Sequence, residues 1–333
     1  MANVLLTQRC VRSCPYCFAK KHMDGSVPDD IISWEDIVYI ADFLQDSANR
    51  GISLLGGEPT LHPDFSDIVL YLNARGFHVH VFTSGIMSTS VFEALKRKLS
   101  SLPKRKLSFV CNVNDPREST EKELRAVGEF LTDFAPQVTL GFNMYRPDFD
   151  MRFLFDYINS YGLERRIRLG LAHPIPGEMN RFLAIQDLPK MAERIVDYIP
   201  DFARFKIAPG FDCGFPFCLF TEEQVGRLFA VMEGRLKFGC GPAIDISPDM
   251  SVWCCFPLSN VYTRSLYEFD SLQQLVAYYE NMGKKIRIEA GGLYEACDDC
   301  SYREQGLCSG GCLAHILSNF RTEAKVRPEF MPP

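Results

Sequence analysis

Several protein classes are removed by what the sequence lacks. No charged leader is followed by an apolar stretch and a small-residue cleavage site, which argues against export. No window approaches 18 uninterrupted apolar residues, so no membrane-spanning helix is expected. The net charge is −6 with the signs mixed. No long basic run is present to follow a phosphate backbone, so nucleic acid is not an expected partner. Tandem repeats and low-complexity segments are absent as well. These absences leave a cytoplasmic protein with neither nucleic acid nor membrane among its partners. With 333 residues, 47% of them hydrophobic, the chain can bury the core of one large domain and a smaller one.

Cysteine is plentiful: there are thirteen. In a chain this long, with no export signal, clustered cysteines point to metal or redox chemistry rather than a disulfide scaffold. Cys10, Cys14 and Cys17 stand in C-x3-C-x2-C spacing in "CVRSCPYC", directly after the apolar run "NVLL". Five further β-rich runs follow, "GISLLGG" (51–57), "FHVHVFTSG" (77–85), "KLSFVCNVN" (106–114), "QVTLGFN" (137–143) and "RIRLGLAH" (166–173). Amphipathic stretches alternate with them. Ser33 is placed to cap a helix whose Ile37, Ile40, Ala41 and Leu44 share a face, and Gly76 and Gly162 stand where helix ends need positive φ. Regular β-α alternation with apolar strands predicts a parallel sheet covered by helices. Six units predict an α/β fold, an open partial (β/α)6 barrel.

In such a fold, ligands gather where the strands end at their C-terminal edge. The three cysteines, "GGEPT" and "TSG" all fall there. Three thiolates can hold a cubane iron–sulfur cluster and leave its fourth iron open. A zinc site completed by a distant ligand, or a set of buried thiols, would use the same spacing.

The residues within the spacing decide between these readings. C-x3-C-x-aromatic-C, with Tyr16 before the last cysteine, together with "GGEPTLHP" (56–63), resembles the signatures of the radical S-adenosylmethionine superfamily. The resemblance implies a [4Fe–4S] cluster on Cys10, Cys14 and Cys17 whose open iron binds S-adenosylmethionine. It implies reductive cleavage to a 5′-deoxyadenosyl radical that abstracts a hydrogen atom, with the protein positioning the cofactor. Gly56, Gly57, Glu58 and Pro59 are then cofactor-binding, the two glycines allowing close backbone approach. Thr83 and Ser84 end the third strand, where relatives often have Thr-Asn-Gly. Asn112, Asn114 and Asn143 are candidates for the methionyl carboxylate or ribose. Cys111 reads as core. Asp115, Arg146, His173, Glu58 and Tyr145 lie near strand ends, and none is assigned as a catalytic acid or base.

Beyond residue 200 the chain changes character and carries nine cysteines among Gly- and Pro-rich elements. Thr221 and Gln224 form a capping box before Val225, Leu228 and Phe229. "CGPAIDISPDMSVWCC" (240–255) and "CDDCSYREQGLCSGGC" (297–312) resemble the SPASM auxiliary-cluster region of peptide-modifying radical enzymes. Three departures stand out: Asp249 replaces a glycine, the middle gap is seven residues, and no cysteine follows Cys312 in this sequence. The expected division is residues 1–200 as the radical barrel and 201–333 as the auxiliary region. The resemblance implies one or two auxiliary [4Fe–4S] clusters. One would use Cys240, Cys254, Cys312 and a cysteine of the Cys213/Cys218 pair, the other Cys297, Cys300, Cys308 and a further thiol. Cys255 reads as a neighbour, and a structural zinc knuckle is the alternative.

The function expected is hydrogen abstraction from a peptide or protein side chain, leading to a thioether, a carbon–carbon link or an unsaturated bond. The expected partners are that substrate, a reductant such as flavodoxin or ferredoxin, and a separate leader-peptide-binding protein. The sequence begins at its first strand, with no peptide-binding module before it, which favours a second reading: a small metabolite or cofactor precursor as substrate. A non-enzymatic iron–sulfur electron carrier is the third, although such a protein has no use for "GGEP".

Overall fold

The computed structural model describes residues 2–27, 30–47 and 50–323. All six expected strands are present: β1 (Ala2–Thr7), β2 (Gly51–Gly56), β3 (His78–Thr83), β4 (Leu107–Asn112), β5 (Val138–Met144) and β6 (Arg166–Leu171). They pair in parallel and in chain order, and β7 (Ala208–Phe211) extends the series beyond β6. Three short strands that the sequence reading does not anticipate, β8 (Ile244–Ile246), β9 (Ser251–Cys254) and β10 (Arg264–Ser265), join the other side. The result is one open ten-stranded sheet of order β10-β9-β8-β1-β2-β3-β4-β5-β6-β7.

β3 shows how the strands are read by their two faces. Val79, Val81 and Thr83 are buried under the helices, whereas His78, His80 and Phe82 are half-buried on the opposite face. The helix Trp34–Gln45 starts where expected, because Ser33 Oγ accepts a hydrogen bond from Asp36 N at 3.0 Å, satisfying an orphan amide. Its buried face is Ile37, Ile40, Ala41 and Leu44. Gly76 and Gly162 have φ of +87° and +63° after their helices. The Thr221/Gln224 capping box also forms. On that helix Leu228 packs inward, whereas Phe229 is 52% exposed. Cys111 is fully buried in the main core. Among the described residues, no helix is long and apolar enough to cross a membrane.

Candidate functional site

β1 ends at Thr7, and the three-cysteine loop departs from it along the end of β2. Gly57 N donates to Thr7 O at 2.9 Å and Glu58 N donates to Arg9 O at 2.8 Å. A Cβ on Gly56 would lie 2.2 Å from Thr7 O, and one on Gly57 would lie 2.1 Å from Arg9 O. The close approach that these glycines permit is therefore to the backbone of the cysteine loop, a reason additional to the approach of a cofactor expected from sequence. The loop tightens further on: Cys17 N donates to Cys14 O at 3.1 Å, Arg12 N to Cys10 Sγ at 3.4 Å and Asn114 Nδ2 to Cys14 Sγ at 3.8 Å. Burial, with a smaller contribution from the neighbouring Cys14, pushes the Cys10 thiol up to about 11 and the Cys17 thiol up to about 12. The three sulfurs are thus within electrostatic reach of one another, and a cation binding them must displace protons.

Glu58 is completely buried, and its carboxylate is held by five donors. Oε1 accepts from Thr60 N (3.4 Å), Thr60 Oγ1 (2.9 Å) and Thr83 Oγ1 (2.7 Å), while Oε2 accepts from Ser84 N (2.8 Å) and Ser84 Oγ (2.6 Å). The side chains of Thr83 and Ser84 are therefore committed to Glu58. Pro59, also buried, opens the short turn Pro59–Leu61 beside them.

The asparagines at the next strand ends share a device. Asn112 is the register partner of Gly141, and Asn143 of Gly170. A Cβ on Gly141 would lie 2.3 Å from Asn112 Oδ1, and one on Gly170 would lie 2.4 Å from Asn143 Oδ1. Each amide thus lies flat across the glycine of the adjacent strand. Asn112 Oδ1 is buried without a hydrogen-bond partner among the described residues, an acceptor available to a ligand. Asn114 Oδ1 accepts from Tyr16 Oη at 2.5 Å, and the Tyr16 ring stacks on Tyr145 with centroids 5.0 Å apart. These residues, with Asn143, Phe142 and Phe149, line a recess at the sheet edge.

The other strand-end candidates are paired. Asp115 is held below the usual carboxylate range by its hydrogen bonds to Arg117. Arg146 Nη1 meets Glu118 at 2.9 Å, and Tyr145 Oη donates to the same carboxylate at 2.8 Å. Arg12, unmarked by any spacing rule, has a side chain only 7% exposed and bridges Glu123 Oε1 and Asn112 O, both at 3.3 Å.

The downstream cysteines fall into two groups. Cys240, Cys254 and Cys312 form one, with Cys255 beside them: the Cys255 thiol donates to Cys254, which lowers Cys254 and raises Cys255. Cys255 takes up a left-handed φ of +58°. Cys213 joins this group, hydrogen-bonded to His173 and close enough to Cys312 to be raised by it. His173 packs over Gly214 and edge-on to His315, the ring centroids 5.5 Å apart. Cys218 lies instead with Cys297, Cys300 and Cys308: its residue is exposed, but partial burial of the sulfur raises its thiol, and these neighbouring cysteines add to the rise. The Cys213/Cys218 pair, treated together in sequence, is thus divided between the groups. Among the described residues, no three His, Cys, Asp or Glu side chains converge as closely as a single ion would require.

Residues 4–152 match the family model described as the radical SAM superfamily. The 7,8-dihydro-6-hydroxymethylpterin dimethyltransferase of Methanocaldococcus jannaschii is 32% identical over 112 residues, which are 33% of this chain and 22% of that protein. An S-adenosylmethionine-dependent nucleotide dehydratase of Selenomonas ruminantium is 38% identical over 84 residues, 25% of this chain and 29% of that one. A probable GTP 3′,8-cyclase of Saccharolobus islandicus is 34% identical over 109 residues, 32% of this chain and 33% of that one. The chain therefore spans about a quarter to a third of the length of these curated relatives. Among solved structures, Streptococcus suis SuiB bound to precursor peptide SuiA has a TM-score of 0.63 at 16% identity, covering 97% of this chain and 73% of that one. Native anSMEcpe with bound AdoMet has a TM-score of 0.64 at 16% identity, covering 94% and 89%. These last two likenesses are of fold. Residues 4–152 thus form a radical SAM domain, of the superfamily of enzymes whose cofactors are a [4Fe–4S] cluster and S-adenosylmethionine.

Proposed function

We propose that this enzyme removes a hydrogen atom from a side chain of a peptide or protein. The observation supporting this reading is the extent of the fold likeness, 97% of the chain against SuiB with SuiA and 93% against anSMEcpe with the Cp18Cys peptide, cysteine-rich region included. Cys10, Cys14 and Cys17 fit the cluster as three mutually sensed thiols on one loop, with no fourth cysteine in that loop. The unpartnered Asn112 Oδ1 fits a donor group of S-adenosylmethionine, and the Tyr16–Tyr145 stack fits a planar ring nearby. When bound, these cofactors supply one-electron chemistry that ends in hydrogen abstraction. The chain's own residues hold the geometry: Glu58 ties the end of β2 to the end of β3, and Gly56 and Gly57 seat the cysteine loop against both. A flavodoxin or ferredoxin would deliver electrons, and a separate leader-binding protein would present the peptide.

The second reading, a small metabolite or cofactor precursor, draws support from the sequence relatives, whose names specify a pterin and nucleotides. The two are separated by measuring 5′-deoxyadenosine release from the anaerobically reconstituted, reduced protein. A library of synthetic peptides should stimulate release and yield a product of altered mass, and Cys10→Ala/Cys14→Ala/Cys17→Ala should abolish it. Stimulation by GTP, other nucleotides or pterins, with none by any peptide, would overturn the peptide reading.

A further inference from the structure

Cys218 sits on the short turn Phe217–Leu219, remote in sequence from the Cys297–Cys308 segment. The fold clamps that turn onto the segment. The Phe217 ring lies 4.3 Å from Tyr302, which belongs to the short helix Ser301–Glu304 between Cys300 and Cys308, and 4.8 Å from Phe238. Phe238 in turn makes a parallel bridge with Cys308, and Ser309 N donates to Phe238 O at 3.3 Å. Two aromatic contacts and a backbone bridge therefore fix where Cys218 stands relative to the loop carrying the other three thiols.

Those three thiols are themselves positioned. Gly292 admits Cys297, since a Cβ there would fall 2.3 Å from Cys297 Cβ and 2.7 Å from its sulfur. Arg303 Nη1 donates to Cys297 O at 2.8 Å, Arg303 N to Cys300 O at 3.0 Å, and Gly310 N to Cys308 Sγ at 3.4 Å. Close by, Cys297 N donates to Tyr294 O at 2.9 Å, and the Tyr294 hydroxyl is buried with no hydrogen-bond partner among the described residues. A buried hydroxyl left unsatisfied is costly unless something at the site accepts from it, and metal-bound sulfur is such an acceptor.

We infer that Cys218, Cys297, Cys300 and Cys308 close a separate four-thiolate site for a [4Fe–4S] cluster, with the fourth ligand supplied from upstream by the Phe217–Leu219 turn and with Tyr294 donating to its sulfur. The chain then has two independent thiol groups beyond the three-cysteine loop, because Cys240, Cys254 and Cys312 gather elsewhere with Cys255 and Cys213. The site does not depend on which substrate the enzyme uses.

The test counts metal rather than activity. In the Cys10→Ala/Cys14→Ala/Cys17→Ala background, which removes the substrate-activating cluster, the reconstituted full chain should hold about eight irons and about eight sulfides, two cubanes. Adding Cys218→Ala should lower iron to about seven, with the electron paramagnetic resonance signal of an oxidised three-iron cluster, or to about four through loss of the whole cluster. Cys218 is exposed, so the substitution leaves the core intact, which circular dichroism verifies. An iron count and spectrum unchanged by Cys218→Ala would overturn the assignment. So would a background variant holding only about four irons, with or without one zinc. Failure of the peptide reading would leave all of these counts untouched.

Discussion

Asp245 lies in β8, buried where that strand pairs with β1, and its Oδ1 accepts from Asn3 Nδ2 at 2.7 Å. Burial pushes its carboxyl up to about 7, the Asn3 bond offsetting only part of that rise. Between about pH 4 and about pH 7 the native chain retains a proton that the unfolded chain releases, so stability falls as pH rises through this window. Over the whole window the effect is at most about 4 kcal/mol. Asp245→Asn, which keeps the acceptor for Asn3 and cannot ionise, should be more stable than the parent at pH 8 and equal to it near pH 4 in urea titrations. A difference independent of pH would refute a native carboxyl that titrates late. At this scale the sequence is legible where residue type alone decides, as with Cys111 in the core. It is illegible for Asn112 and Asn143, whose amides lie across a neighbouring strand's glycine, a relation set by register between segments about 30 residues apart.

Between elements, the carboxylate of Glu58 connects the end of β2 to the end of β3. In Glu58→Gln, an amide N–H must face groups that are themselves donors. Stability should drop by about 1–3 kcal/mol, with the same loss in a chain lacking cofactors. Denaturant midpoints of the wild-type and variant apo chains check this, and an unchanged midpoint would show the five bonds to be replaceable. Helix starts are the most legible elements, because capping is local: Ser33 and Thr221 bond to amides three residues on. Phe229 shows the limit, since periodicity marks two adjacent positions of a helix face and only packing decides that Leu228 is the buried one.

For the whole molecule, the change of composition near residue 200 does not end the sheet. β8 pairs in parallel with β1 through Ala2–Ile244, Asn3–Asp245 and Val4–Ile246, so the region beyond residue 200 covers an edge that the first six strands leave open. A chain ending at Lys206 would expose the unpaired backbone of β1 beside Val4 and Leu6, both fully buried in the intact protein. It should aggregate or remain partly unfolded, as judged by size-exclusion chromatography and thermal melting. A monomeric, cooperatively melting fragment would show the barrel to be self-sufficient. The three added strands have only three, four and two residues, too short for alternation to be read, and they form because partners are already in place.

The sequence by itself determined the six parallel strands, their capped helices, the three-cysteine loop beside "GGEP" and the family, because these rest on local propensity, short-range periodicity and contiguous motifs. Only the tertiary structure decided which thiols meet. Cys213 and Cys218 are five positions apart and face different cysteine groups, while Cys218 and Cys297 are distant in the chain and neighbours in space. It likewise decided that Gly56 and Gly57 seat a backbone and that Glu58 joins two strands, since chain crossings and aromatic packing bring together groups whose separation along the sequence carries no trace of their contact.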